Sequence, residues 1–103
     1  MNPPLDQAQL EAITTACRSH HVARLHAFGS VLRSDYRPGE SDIDLLVEFQ
    51  DLEPAQLARA YFALEEQLSQ SIGGTVDLVM ATALRNPIVH AEVESSKQLI
   101  YAA

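Results

Sequence analysis

Cysteine is nearly missing from this 103-residue chain, tryptophan is missing altogether, and basic residues are scarce. With Cys17 as the single cysteine, no internal disulfide can form, which fits a reducing cytoplasm rather than a disulfide-dependent secreted domain. Four glycines and five prolines, with no internal repeat, exclude collagen-like and low-complexity architectures. Seven Lys plus Arg against fourteen Asp plus Glu leave a net charge of −7, which repels phosphate backbones and argues against direct nucleic-acid binding. The expected macromolecular partner is instead a protein with a basic face. No uninterrupted apolar run approaches the roughly 20 residues a membrane span needs, and the N-terminus has no charged segment followed by an apolar one. The expectation is therefore a cytoplasmic protein with no membrane partner. At this length, residues 1–103 are expected to form a single domain around one core.

What is present alternates between helical and strand periodicity. Asp6 can cap a helix starting at Gln7, in which Leu10, Ile13 and Cys17 recur at three- and four-residue spacing as an inward stripe. Residues 21–28 alternate around Val22, Arg24 and His26 and end at Gly29-Ser30, the pattern of a short strand entering a turn. Residues 31–41 contain Pro38 and Gly39 and allow at most one helical turn before loop. Residues 42–49 (DIDLLVEF) are apolar enough for a largely buried strand. Pro54 suits the first turn of a helix whose stripe is Leu57, Ala60, Tyr61, Leu64 and Leu68, ending at Gly73-Gly74. Residues 75–80 read as a third strand, 84–87 as a turn or short helix, 89–96 as a last helix, and 99–101 as an edge strand. This order predicts an α+β domain, a small mixed sheet flanked by helices.

Within that frame the acids stand out. Strand side chains alternate faces, so Asp42 and Asp44 project together with Cα atoms roughly 7 Å apart, close enough to share a cation. Hard divalent cations such as Mg²⁺ take oxygen ligands and keep room for substrate phosphates. Asp77 lies among Val76, Leu78, Val79 and Met80, where a buried unpaired charge would cost several kcal/mol, so a role is expected of it. Ahead of the pair, Gly29 has no Cβ to keep a phosphate from backbone N–H groups, and Ser30 adds a hydroxyl. Each signal alone has an ordinary explanation as a turn or cap; their order gives them value.

The strings FGSVLRSDYRPGESDIDLLVEF (28–49) and VDLV (76–79) together resemble the polymerase-β-type nucleotidyltransferases, specifically the minimal nucleotidyltransferase (MNT) domains encoded beside HEPN-domain proteins. The C-terminal run LRNPIVHAEVESSKQLIYAA also looks like the end of such domains. The resemblance implies the polymerase-β-like nucleotidyltransferase fold, ATP as substrate and two Mg²⁺ ions. It assigns nucleotide binding to Gly29 and Ser30, and the metal-binding, catalytic carboxylates to Asp42, Asp44 and Asp77. Arg33 is expected to clamp phosphate, although a surface arginine near Asp35 explains it equally well. Two departures are visible: eleven residues separate Ser30 from Asp42 where the family has ten, and Leu32 and Ser34 replace its usual Ala and second Gly.

For function, the resemblance implies an antitoxin that transfers AMP from ATP to a tyrosine of a HEPN ribonuclease toxin and so silences it. Two alternatives stay open: neutralisation by binding alone, and transfer to a small molecule. His20, His21, His26 and His90 have no zinc-ligand spacing and receive no role. Cys17 is expected to be a buried inert thiol, Tyr61 and Tyr101 to pack, and Arg59 and Arg85 to be solvated.

Overall fold

The computed structural model describes residues 5–29 and 42–103. Ser30, Arg33 and the turn expected within 31–41 lie outside the described residues. Helix α1, Gln7–Ser19, opens with a capping box: the Asp6 carboxylate accepts the Gln9 N–H at 2.7 Å, and the Gln9 side-chain oxygen accepts the Asp6 N–H at 3.0 Å. Its inward stripe is Ile13, Ala16 and Cys17, with Leu10 packed at the margin. The chain leaves α1 through His21, whose φ of 61° is the left-handed conformation, and enters strand β1, Val22–Phe28.

Strand β2 runs Ile43–Phe49, so Asp42 sits just before it rather than within it. Helix α2, Pro54–Ile72, buries Ala60, Leu64 and Leu68 and ends at Gly73, a left-handed cap with φ 76°. Strand β3, Val76–Met80, follows, then a short 3₁₀ turn at Ala81–Ala83, just ahead of the turn expected at 84–87. The last helix, α3, begins at Pro87 rather than near Val89. The Asn86 side chain accepts the N–H groups of Ile88 and Val89, and Pro87 gives up a donor that a first turn does not need. It ends at Ser96, and strand β4, Gln98–Ala102, closes the described chain as the expected edge strand.

Among the described residues the four strands form one mixed sheet in the order β3-β2-β1-β4. β1 pairs antiparallel with β2 and β4, while β2 and β3 run parallel, joined by the α2 crossover. Helices α1 and α2 cover one face, where Ile13, Leu25, Leu45, Leu64 and Leu68 are fully buried. Burial of each such side chain contributes about 1.5–3 kcal/mol. The Gln9 side-chain amide donates to the Ile72 carbonyl at 3.1 Å and ties the start of α1 to the end of α2. Tyr61 packs at the core margin, as expected, and its hydroxyl donates to the Leu78 carbonyl at 2.6 Å, holding α2 against β3. Cys17 is fully buried, and burial pushes its thiol up to about 12, as suits an inert core sulfur. Among the described residues no helix is long and apolar enough to cross a membrane.

Candidate active site

The face that α1 and α2 leave uncovered carries the acids, and register rather than sequence proximity assembles them. Asp44 of β2 is the antiparallel partner of Phe28 and the parallel partner of Asp77. Directly paired residues project to the same side of a sheet, so Phe28, Asp44 and Asp77 form a row across three strands with neighbouring backbones about 4.8 Å apart. One residue earlier, the partners Ile43 and Val76 turn into the core; one residue later, Leu45 and Leu78 do the same. This alternation fixes the direction of both carboxylates. Because Ile43 is buried between them, Asp42 and Asp44 lie on the side away from the core, Asp42 exposed and Asp44 half-buried.

Asp77 is exposed, which corrects the expectation of a buried charge. Its apolar neighbours Val76 and Leu78 are buried because they point the other way, so no burial penalty falls on it. The strand ladder gains nothing from two negative charges side by side; like charges on adjacent strands oppose pairing by about 0.2–1 kcal/mol. The charge of Asp77 is felt across the edge of the sheet, where it joins burial and Glu65 in raising the Tyr61 hydroxyl above its ordinary value, burial being the largest cause.

Gly29 follows Phe28 at the end of β1 and closes over Asp44. Its φ is +68°, and a Cβ built there would collide with the Asp44 Oδ2 and lie 3.3 Å from its Cγ. Glycine is therefore required twice, for the left-handed backbone and for the approach of the turn to the carboxylate. The gap left by the missing Cβ is a cradle in which backbone and carboxylate meet. The structure thus brings Gly29, Asp44 and Asp77 together and sets Asp42 beside them at the entrance to β2, while Ser30 and Arg33 fall outside the described residues.

Among the described residues, no three His, Cys, Asp or Glu side chains stand as a ready-made metal cage. The donor chemistry still fits Mg²⁺, which binds through one or two carboxylates and completes its shell with water and substrate phosphate oxygens. Asp44 and Asp77, paired by register on the face away from α1 and α2, supply that minimum, and Asp42 is within two residues.

One residue on this face receives no role from the sequence. His26 is only 8% exposed, and its Nδ1 has no hydrogen-bond partner among the described residues. Burial lowers its pKa below the ordinary 6.5, Lys97 and Arg24 push the same way, and Glu48 and Glu94 oppose them. The expected alternation of Val22, Arg24 and His26 fails because the register shifts between Val22 and Arg24, a bulge that puts Val22 in the core and Arg24 on the opposite face. Arg24 there meets Glu48 at 3.3 Å, an exposed pair worth little.

Comparison with known proteins gives the family of this fold. The model of the nucleotidyltransferase domain matches residues 10–100. A Methanocaldococcus jannaschii protein named as a protein adenylyltransferase is 39% identical over 82 residues, covering 80% of this chain and 78% of that protein. Protein adenylyltransferase MntA of Thermococcus cleftensis is 34% identical over 85 residues, covering 78% of this chain and 82% of its own. The solved structure of a minimal nucleotidyltransferase superposes with a TM-score of 0.72 at 32% identity, over 89% of each chain. An MNT antitoxin from Shewanella oneidensis, solved in complex with a tri-AMPylated HEPN toxin, shares the fold at 21% identity and a TM-score of 0.63, over 94% of this chain and 72% of that one. The chain belongs to the nucleotidyltransferase domain family, as a minimal nucleotidyltransferase homologous to the MntA-type protein adenylyltransferases.

Proposed function

We propose that this domain is an antitoxin that transfers AMP from ATP to a tyrosine hydroxyl of a HEPN ribonuclease partner. The observation that carries the reading is the row on the sheet face away from α1 and α2: Asp44 and Asp77 side by side in register, with the Gly29 backbone closed over the Asp44 carboxylate. Support for the acceptor comes from the relatives, which are protein adenylyltransferases, and from the HEPN complex of a structural neighbour.

In this reading Gly29 gives the triphosphate access to backbone N–H groups, and Ser30 and Arg33 bind its outer phosphates. Asp42, Asp44 and Asp77 hold two Mg²⁺ ions, which when bound supply positive charge to the α-phosphate and its leaving group. The tyrosine oxygen forms a bond to the α-phosphorus, the bond from that phosphorus to the β-bridging oxygen breaks, and pyrophosphate departs. Asp77, exposed at the sheet edge, takes the hydroxyl proton.

The test incubates the wild-type chain and its partner with α-labelled ATP and Mg²⁺, then repeats it with the double variant Asp42→Ala, Asp44→Ala. Label on the partner that disappears with the variant, together with loss of neutralisation, supports transfer. Neutralisation that persists in a folded double variant, with no label from the wild type, means that the domain acts by binding alone.

A further inference from the structure

At the other end of β1 from Gly29, the structure presents a cleft with opposite chemistry. Its volume is about 320 Å³, and Ser19, His20, His21, Gln56 and Arg59 supply its polar lining. It carries no carboxylate, although acids outnumber Lys and Arg fourteen to seven in this chain. Three other clefts each include at least one: Glu48 and Asp51, Glu11, and Glu65 and Glu66.

Among the described residues Arg59 has no ion-pair or hydrogen-bond partner, whereas Arg24 meets Glu48 and Lys97 meets Glu94 at 2.6 Å. A guanidinium unclaimed in an acidic protein keeps its planar set of donors for an outside anion. His21 holds the left-handed backbone, φ 61°, where glycine or asparagine would fit with less strain. Its carbonyl is fixed by the Gln50 N–H at 2.9 Å, so the turn that places His21 at the rim of the cleft is anchored. His20 is held by its ring nitrogen, 2.7 Å from the Gln67 side-chain oxygen.

We propose that this cleft binds a phosphate group, with Arg59 as the principal ligand and the His21 ring, Ser19 and Gln56 as further donors. It is separate from the nucleotidyl-transfer site, because the length of β1 sets the two about 20 Å apart. The proposal does not depend on the transfer reaction.

The test is an NMR titration of the full chain with orthophosphate, pyrophosphate and AMP, and with acetate as a carboxylate control, following the backbone and side-chain N–H signals of residues 19–21, 56 and 59. Saturable shifts confined to these residues are expected, with acetate at least tenfold weaker. Arg59→Gln should weaken binding about tenfold, and His21→Asn, which keeps the left-handed turn, about threefold. Tighter binding of pyrophosphate than AMP identifies a free phosphate ion as the ligand, and the reverse order a nucleotide. Saturation only near Gly29 and Asp44, equal response to acetate, or unchanged affinity in both folded variants overturns the proposal.

Discussion

Replacing Gly29 with alanine separates the catalytic demand on this glycine from its conformational one, because Gly73 provides an internal control. Both residues are left-handed, at φ +68° and +76°, but a Cβ at Gly73 meets nothing within 4 Å, whereas one at Gly29 strikes the Asp44 carboxylate. The shared backbone penalty is about 1–2 kcal/mol for an L-residue. For a domain near this size that corresponds to a fall in melting temperature of about 4–8 °C per kcal/mol. Gly73→Ala should show this loss alone and keep wild-type transfer per folded molecule. Gly29→Ala should lose at least as much stability, and its Asp44 carboxylate must rotate away or the turn must lift. Displacement of a group that acts in the reaction by about 1 Å costs on the order of 100-fold in rate. Urea denaturation gives the first quantity and α-labelled ATP transfer to the partner, under conditions where both variants are folded, gives the second. Equal transfer by the two variants would refute the argument that the close approach of Gly29 to Asp44 serves the site.

Asp77→Asn should change stability by no more than about 0.5 kcal/mol, since the residue is exposed, yet lower transfer at least 100-fold; denaturation curves and initial rates read the two effects independently. Tyr61→Phe removes the 2.6 Å hydrogen bond to the Leu78 carbonyl and should cost about 1 kcal/mol, measured as a shift of the urea midpoint. His26 has a folded pKa below the ordinary 6.5, so its neutral form is favoured in the native state. Its contribution to stability is full above that unfolded value and is lost as the pH falls through the lower folded one. His26→Leu should flatten the decline between pH 7 and pH 5 in urea midpoints, and an unchanged slope would exclude His26 as its source.

Local signals were the readable part of the fold. Asp6 with Gln9 specifies the start of α1, Pro54 and Gly73 bracket α2, and each works through hydrogen bonds or a backbone angle within a few residues. The apolar stripe of Leu64 and Leu68 gave the buried side of α2 for the same reason. Strand order was not readable, because the pairing of β1 with β4 rather than with β3 is decided by packing between distant segments. The three aspartates were singled out from their types and order, but the exposure of Asp77 was misjudged by reading its apolar neighbours as surroundings instead of as the opposite face. His26 was given no role from the sequence; its burial was not readable because one bulge residue at the start of β1 changes the phase of every side chain after it. The basic cleft has no motif, since Ser19 and His21 meet Gln56 and Arg59 only when α1 and α2 lie together.

The parallel pairing of β2 with β3 has a consequence for when the site exists. Asp42 and Asp44 leave the ribosome well before Asp77, and the intervening α2 must fold across the sheet before β3 can lie beside β2. A nascent chain that stops short of Val76 therefore has a glycine turn and two acids but lacks the row that pairs them with a third. Under the proposed function, synthesis of this domain passes through a stage that lacks this row, and transfer becomes available only to chains whose crossover is complete.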